Sequence, residues 1–382
     1  MNVTMLQMDF GESILLNEGD DACLMIDCGS KSDPARCRTL FQYAEQQVIP
    51  YTHREAMISH FHEDHYNGFR AFQKSIFDCV YIPHIFTAKQ HPNMVDYLLM
   101  RDYLRSRINK NGKPHYTLLQ LLENMPKIGK QFQLLKRGDK FQFQKNTAEV
   151  LWPCPAAVNR DVAESGVLDR IPEDLCEEVF RVSDQISVLV VRYGGSNSLV
   201  LGRNFAGDFE GIKAAAEALP ADYRFPEDTD PKELLDAFHW KFPKVINDHK
   251  YCLVFQIRSA SDQKQYLFTG DARTEDLQRI IRNADLAIAL RKNFYAVKAP
   301  HHGTVSHYCT DLFDNPSYQI ETVFISHGKG FGHYGKIYKE YIGKCFSTVC
   351  TNYSHAECPD FPYCTSRCCG LYLNPPLPCY PI

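Results

Sequence analysis

The pattern of apolar and polar positions changes repeatedly between the strand period and the helix period along the chain. Near the amino terminus, short apolar runs separated by turn-forming Gly and Asp residues predict an opening set of strands. Helical spacing, a short apolar strand and a second helical stretch come next. In chain order these predicted elements cover residues 3–10, 13–17, 22–27, 34–48, 56–59 and 67–74. Their alternation indicates an α/β fold.

The middle of the chain interrupts this alternation. Helices are predicted over 92–109 and 116–123, and paired strands around 141–143 and 149–152 stop at prolines. From about 156 to 245 the sequence is rich in acidic residues and proline, and we interpret this segment as an insertion that decorates the core. The β/α pattern then resumes with elements over 251–258, 265–269, 275–282, 295–298 and 322–326.

One apolar stretch inside this insertion resembles a later one. Residues 186–190, followed by Gly207 and Asp208, match the pattern of 251–255 followed by Gly270 and Asp271. The match is either a partial internal repeat or a coincidence. It leaves Asp208 as an alternative to Asp271 in any site built on this motif.

Composition narrows the class of protein. The chain has 382 residues with 44% hydrophobic content, enough to bury a sizeable core in one large domain or two smaller ones. There is no basic, apolar leader and no stretch of membrane-spanning length, so we expect a soluble cytoplasmic protein without a membrane partner. The 15 cysteines are odd in number and dispersed, which favours reduced thiols over disulfides. Because the net charge is only -4, any recognition of an anion must depend on a local site.

Three histidines and an aspartate within six positions mark the first candidate site: His60, His62, Asp64 and His65. Buried imidazoles and carboxylates need partners, and a divalent cation supplies the compensation that such crowding requires. In an extended segment His60 and His62 point the same way and can share one ion, while Asp64 and His65 can reach a second. The alternative is a histidine-rich surface loop.

Two ions need further ligands, and the ends of two later predicted strands supply candidates. Gly270 permits a sharp turn that presents Asp271 as a carboxylate able to bridge both ions. A Gly-Asp pair is by itself a common turn, so it supports a metal site only together with the other motifs. His301 and His302 follow the strand over 295–298 and offer imidazole nitrogens.

Several stretches of the chain carry a family resemblance, at 8–15 with 24–29, 59–65, 268–271, 298–304, and 325–328 with 332–335. Their order resembles the metallo-β-lactamase superfamily, and within it the branch that contains the hydrolase domain of the DNA-uptake protein ComEC and related stand-alone hydrolases. The resemblance implies a four-layer αβ/βα sandwich with insertions. We therefore predict a hydrolase domain over 1–352, with its insertion at about 156–245, and a cysteine-rich extension over 353–382.

The resemblance also implies the metal ligands, namely His60 and His62 for one ion, Asp64 and His65 for the other, Asp271 as the bridge, and His301 or His302 to complete the second ion. We prefer His301 slightly over His302. At the third family position the segment 246–250 offers several donors, and we do not assign His249 as a ligand.

The two ions would lower the pKa of a shared water and polarise the scissile phosphoryl or carbonyl oxygen, so we expect hydrolysis by a bridged hydroxide. Asp64 would orient that hydroxide. His333 is either the group that protonates the leaving oxygen or a structural loop residue. Histidine and aspartate ligands without cysteine favour zinc, with manganese as the alternative.

The carboxyl-terminal extension offers a further, structural zinc site. It is dense in soft ligands, and Cys350, His355, Cys358, Cys364 and Cys368 could form a zinc clip. Free thiols are the alternative, because the spacing is irregular.

The resemblance to the ComEC branch implies a metal-dependent phosphodiesterase, and specifically a nuclease. One alternative is a hydrolase of small esters, lactones or thioesters on the same metals, and another is a non-catalytic partner-binding protein. A basic run in a predicted helix could contact the phosphates of nucleic acid, although a solvated helix face would have the same composition. The run consists of Arg101, Arg105, Arg107, Lys110 and Lys113. The insertions also indicate either a protein partner or a restricted substrate.

Overall fold

The computed structural model describes residues 1–19, 21–72, 76–86, 90–108, 117–193, 198–200, 205–219, 223, 230–236, 247–282, 288–326, 341, 347–351 and 379–381. Two mixed β-sheets form the centre of the molecule, and helices cover their outer faces.

The first sheet combines an antiparallel meander with a run of parallel strands. In spatial order its strands are β15 (Cys379–Pro381), β1 (Asn2–Leu6), β2 (Ile14–Glu18), β3 (Ala22–Ile26), β4 (His53–Met57), β5 (Phe77–Pro83), β6 (Gly129–Leu135) and β9 (Ser198–Val200). The strands β1, β2 and β3 pair antiparallel, whereas β3 to β6 run parallel. Both edge strands, β15 and β9, pair antiparallel with their neighbours.

The second sheet has the same mixed character. In spatial order its strands are β14 (Ser347–Cys350), β13 (Gln319–Ile325), β12 (Asn293–Lys298), β11 (Gln265–Phe268), β10 (Val254–Arg258), β8 (Asn146–Trp152) and β7 (Lys140–Phe143). The strands from β11 to β14 are parallel, and those from β7 to β11 are antiparallel.

The helices lie between strands in the chain and against the outer faces of the sheets. They are α1 (Pro34–Val48), α2 (Glu63–Tyr66), α3 (Met94–Ile108), α4 (Thr117–Ile128), α5 (Pro155–Glu164), α6 (Glu173–Tyr193), α7 (Phe205–Glu217), α8 (Pro231–Asp236), α9 (Thr274–Arg282) and α10 (Thr310–Phe313).

Two apolar layers hold these elements together. Alternate strand residues point between the sheets, where Met5 of the first sheet belongs to the same cluster as Phe255 and Phe268 of the second. The opposite strand faces pack on helices, with Leu121 of α4 on one side and Leu277 of α9 on the other. The predicted α/β sandwich of two sheets between helical layers is therefore confirmed.

The described residues between 155 and 236 are mainly helical, and they decide between an internal repeat and a coincidence at 186–190. Residues 186–190, which we compared with a later strand, lie inside the 21-residue helix α6. Their apolar run belongs to a longer helical pattern, because Leu175, Val179, Val182 and Ile186 are all buried on one face. The similarity to 251–255 is a coincidence of composition.

No strand was predicted at β5 or β6, and the helix predicted over 67–74 is a 3₁₀ turn at Asn67–Ala71, preceded by the short helix α2. Residues 379–381 return to the first sheet as β15. The division of the chain at 352 stays a prediction.

Across the part of the chain that the structure describes, no helix has both the length and the apolar composition needed to cross a membrane. The cytoplasmic location stays a prediction.

Three loops that lead into the candidate site are in direct backbone contact. The N–H of Glu12 donates to the Asp64 carbonyl at 3.0 Å, and the N–H of Cys28 donates to the His65 carbonyl at 2.7 Å. A Cβ atom on Gly29 would lie 2.2 Å from the Asp64 carbonyl carbon and 2.4 Å from the His65 nitrogen. Only glycine allows this close approach without a shift of the backbone.

We expect Gly29→Ala to lower the free energy of unfolding by about 1–3 kcal/mol, because the added methyl group overpacks the contact with residues 64–65. Chemical denaturation measures this change. Gly211→Ala in α7 is the matched control, since its Cβ would meet nothing within 4 Å and alanine is the better helix former. A Gly29→Ala protein as stable as the wild type would contradict the packing described above.

Candidate metal centre

The candidate site lies where the carboxyl ends of strands from both sheets meet. Asp27 follows β3, His60 follows β4, Asp271 follows β11, and His302 follows β12. Parallel strands bring their carboxyl ends to one edge of a sheet, which is where α/β proteins usually place their sites. The fold therefore brings together residues that are far apart in the sequence.

The Oδ2 atom of Asp271 is the centre of this cluster. Imidazole Nε2 atoms surround it at 3.2 Å from His65, 3.7 Å from His60, 3.8 Å from His249, 3.8 Å from His301 and 4.0 Å from His302. The Asp271 side chain is 1% exposed, so these groups interact away from water.

Two groups of donors share the Asp271 carboxylate. The first consists of His60, His62, His249 and Asp271, and the second of Glu12, His65, Asp271 and His302, with the donor atoms of each group within 4.8 Å of one another. Nitrogen and carboxylate donors at this separation suit divalent cations such as zinc.

The residues of the first group fit a bound cation. The Nε2 atom of His60 is buried and has no hydrogen-bond partner among the described residues. The Nδ1 atom of His62 lies 3.2 Å from the Nε2 atom of His249, so two imidazole nitrogens face each other. Buried polar atoms of this kind are costly unless a cation or a proton compensates them.

The electrostatics of the first donor group favour the protonation states that metal binding needs. Burial and the neighbouring His65 hold the pKa of His60 well below its usual range. Burial and the charge of His301 lower the pKa of His249 in the same way. Burial alone would raise the pKa of Asp271, but the positive charges of His65 and Lys298 outweigh it and hold that pKa well below normal. Neutral His60 and His249 beside an ionised Asp271 are in the form that binds metal. His65 differs, because burial would lower its pKa but the charges of Asp271 and Asp27 outweigh burial and raise that pKa well above its usual range, so it would have to lose a proton to bind a cation.

Groups outside the cluster fix the orientation of its histidines. The Asp27 Oδ2 atom is 2.8 Å from His65 Nδ1, and the same carboxylate accepts hydrogen bonds from both the backbone and the hydroxyl of Ser59 at 2.6 Å. The Ser59 hydroxyl lies 3.1 Å from His60 Nδ1. Asp27 has a φ of 57°, a conformation that costs energy outside glycine, and these contacts compensate for it.

A buried ion pair lies directly behind Asp271. The Lys298 ammonium is 2.7 Å from Glu12 Oε2 and 3.4 Å from Asp271 Oδ1, and it donates to the Gly270 carbonyl at 2.8 Å. Burial would lower the pKa of Lys298, but the carboxylates of Glu12 and Asp271 outweigh it and raise that pKa. Neither Glu12 nor Lys298 was predicted to belong to the site.

The structure places Asp64 beside the second donor group and not within it. Its Oδ1 atom pairs with the Lys31 ammonium at 2.8 Å, and its Oδ2 atom is 3.6 Å from His302 Nε2. Burial would raise the pKa of Asp64, but His302, His65 and Lys31 outweigh it and hold the pKa well below normal.

His302, and not the preferred His301, belongs to the second donor group. The His301 Nδ1 atom instead lies 2.8 Å from the Thr304 hydroxyl and 3.2 Å from His307 Nδ1. His249, which we did not assign, belongs to the first group. His307 contacts His249 at 3.1 Å and was also missed. The adjacent Asp-His pair in the segment 246–250 was the sequence signal for His249.

Other predicted residues lie away from the cluster or outside the described residues. Asp208, the alternative bridge, is in α7 and pairs with Arg192 and Tyr193. Arg101, predicted to contact nucleic-acid phosphates, is 2% exposed and cannot do so. Lys110, Lys113, His333, His355, Cys358, Cys364 and Cys368 lie outside the described residues, and Cys350 lies in β14 with no description of its side chain. The proton-donating role of His333 and the structural zinc stay predictions.

We expect Lys298→Met to destabilise the metal-free protein by about 3–5 kcal/mol, because it leaves the Glu12 and Asp271 carboxylates buried without a counter-charge. The double variant Glu12→Gln with Lys298→Met should be more stable than Lys298→Met alone. Denaturation in the presence of a chelator measures both. Lys130→Met, which breaks an exposed pair with Asp78, is the control and should cost less than about 1 kcal/mol. A double variant that is no more stable than Lys298→Met would contradict the pairing.

The chain was compared with curated proteins, with solved structures and with models of protein families. None of the curated proteins compared with the chain matches it. A solved structure described as Tm1679, a metal-dependent hydrolase of the β-lactamase superfamily, is similar at 12% identity and a TM-score of 0.38, over 91% of this chain and 96% of that one. Residues 8–141 match the family model of the metallo-β-lactamase superfamily. The similarity to this superfamily therefore covers residues 8–141, which include His60, His62, Asp64 and His65.

Proposed function

We propose that this protein is a metal-dependent hydrolase that cleaves phosphodiester bonds, and specifically that it is a nuclease. The observation that carries the proposal is the Asp271 carboxylate, which belongs to both donor groups. A carboxylate shared by two cation sites suits in-line displacement at phosphorus, where charge develops on both the attacking and the leaving oxygen.

The donor groups define which residues would hold the ions. Bound there, two divalent ions would activate water and polarise a phosphoryl oxygen. Zinc suits the imidazole-rich first group, and manganese is the alternative because carboxylates are present. One ion would be held by His60, His62 and His249 and the other by Glu12, His65 and His302, with Asp271 belonging to both donor groups.

Three partly exposed side chains mark the open side of the centre. The exposed fraction is 31% for His62, 22% for His301 and 39% for Lys31, whereas His60, His65 and His302 are buried. A substrate must therefore approach across Lys31 and His301. An ammonium at this edge favours an anionic substrate over a neutral one.

Asp64 lies between this open side and the buried donors. Its carboxylate is ionised, because His302, His65 and Lys31 hold its pKa low against the effect of burial. An ionised carboxylate can accept a hydrogen bond from water and orient it for attack. We assign Asp64 this role, with Lys31 neutralising the charge of the substrate.

Hydrolysis of a small ester, lactone or thioester would use the same donors. It differs from phosphodiester cleavage in needing no cation at the open side, so the contribution of Lys31 separates the two. A non-catalytic partner-binding protein would have no use for so many buried imidazoles around one carboxylate. A protein partner for the segment 156–245 remains a proposal.

We expect the metal-loaded protein to cleave labelled DNA or RNA and to leave lactones and thioesters largely intact. Asp64→Ala should lose about 10²-fold or more in kcat, the scale of loss for a general base, with little change in folding. Single-stranded and double-stranded substrates should be compared at one salt concentration. Fast hydrolysis of a lactone or thioester beside untouched nucleic acid would refute the nuclease assignment.

Lys31→Gln should weaken nucleic-acid binding and make its salt dependence shallower by about one unit of slope, while the metal content stays unchanged. Lys31→Arg should retain most of the affinity, because it keeps the charge. Binding measured by fluorescence anisotropy across a salt series checks both variants. Equal salt slopes for the wild type and Lys31→Gln would show that Lys31 does not contact the substrate.

A further inference from the structure

Arg101 occupies an unusual position for an arginine on a helix. It lies within α3, its side chain is 2% exposed, and it carries a full charge away from water. Its Nε and Nη2 atoms donate to Asp102 Oδ1 at 3.1 and 2.8 Å, and its Nη1 atom donates to Asp248 Oδ1. The guanidinium therefore joins two buried carboxylates, one on its own helix and one 147 residues away.

The second of these carboxylates leads directly to the first donor group. The Oδ2 atom of Asp248 lies 3.0 Å from His62 Nε2. Because a carboxylate accepts a hydrogen bond, this contact places the His62 proton on Nε2 and leaves the lone pair on Nδ1. The Nδ1 atom faces His249 at 3.2 Å, inside the donor group.

The same carboxylate also sets the position of His249, the next residue in the chain. Asp248 and His249 begin the 3₁₀ turn Asp248–Tyr251, and the Asn247 side chain caps it by accepting the His249 N–H at 3.0 Å. A turn of this size moves as a unit. Anchoring Asp248 therefore anchors His249 as well.

Arg101 is itself held in place through its hydrogen bonds to Asp102. Asp102 accepts the N–H of Thr117 at 2.7 Å, where α4 begins, so Arg101 rests on the junction of two helices. The Arg101 guanidinium presents its donors in a planar fork, so it makes two hydrogen bonds to Asp102 and a third to Asp248. A lysine ammonium, with three donors on a shorter side chain, does not reproduce this geometry.

We propose that Arg101 is a positioning residue of the candidate metal centre, which acts through Asp248 to fix both His62 and His249. The inference rests on the metal centre of the proposed function and is independent of its substrate. Two of the three histidines in the first donor group depend on this contact. The second group depends on Asp27, Glu12 and Lys298 instead.

The test compares zinc affinities of purified variants. Wild type, Arg101→Lys and Asp248→Asn are titrated against a chromophoric chelator, and Arg105→Met is the matched control. Arg105 lies one turn further along α3, is 45% exposed and approaches Asp102 only to 3.8 Å. Circular dichroism and thermal melting of the metal-free proteins establish that each variant is folded.

We expect Arg101→Lys and Asp248→Asn to weaken one of two zinc equivalents by about 10–100-fold and to leave the other unchanged. Arg105→Met should bind both equivalents as the wild type does. A purely structural role would lower the melting temperature of Arg101→Lys and leave both affinities unchanged, and that result would overturn the proposal. If Arg101→Lys does not fold, Asp248→Asn decides by the same criterion.

The experiment distinguishes a failure of this proposal from a failure of the proposed function. A wild-type protein that binds two zinc ions and cleaves no nucleic acid would contradict the nuclease assignment. The positioning role of Arg101 would then still be tested by the zinc affinities of the variants. A wild-type protein that binds no zinc would overturn the positioning role together with the metal centre.

Discussion

The Oδ2 atom of Asp271 is withdrawn from water and lies within 4.0 Å of imidazole nitrogens from five histidines. A buried carboxylate needs compensating charge or hydrogen bonds on every side. The chain provides them from behind, where Lys298 approaches Oδ1 to 3.4 Å and the Cys252 sulfur accepts the Asp271 N–H at 3.0 Å. Gly270 makes this possible, because a Cβ there would lie 2.3 Å from that sulfur.

The histidines around Asp271 are held by carboxylates that do not belong to the donor groups. Asp27 orients His65, and Asp248 orients His62, so each group has its own outer support. Such supports fix the tautomer and direction of a ligand and contribute to metal affinity. The backbone is strained at the same places, with φ values of 57° at Asp27 and 53° at His302. Strain of this kind is kept where the surrounding contacts over-determine it.

Sequence reasoning was sufficient for the motifs that are local. The spacing from His60 to His65 and the Gly270-Asp271 turn predicted residues that the structure brings together, and the alternation of strand and helix predicted the sandwich. Contacts between distant segments could not be predicted from the sequence. The charge pattern of α3 is typical of an exposed basic face, and only the fold reveals that Arg101 meets a carboxylate 147 residues away. The run at 186–190 resembled a later strand because its five residues cannot show the period of a 21-residue helix.

The two donor groups share Asp271, and diffraction from crystals of the zinc-loaded protein tests most directly whether this carboxylate joins two cation sites. Anomalous differences at the zinc edge should show two peaks, one among His60, His62 and His249 and the other beside His65 and His302, with the Asp271 carboxylate between them. A single peak, or peaks outside these two groups, would contradict the account.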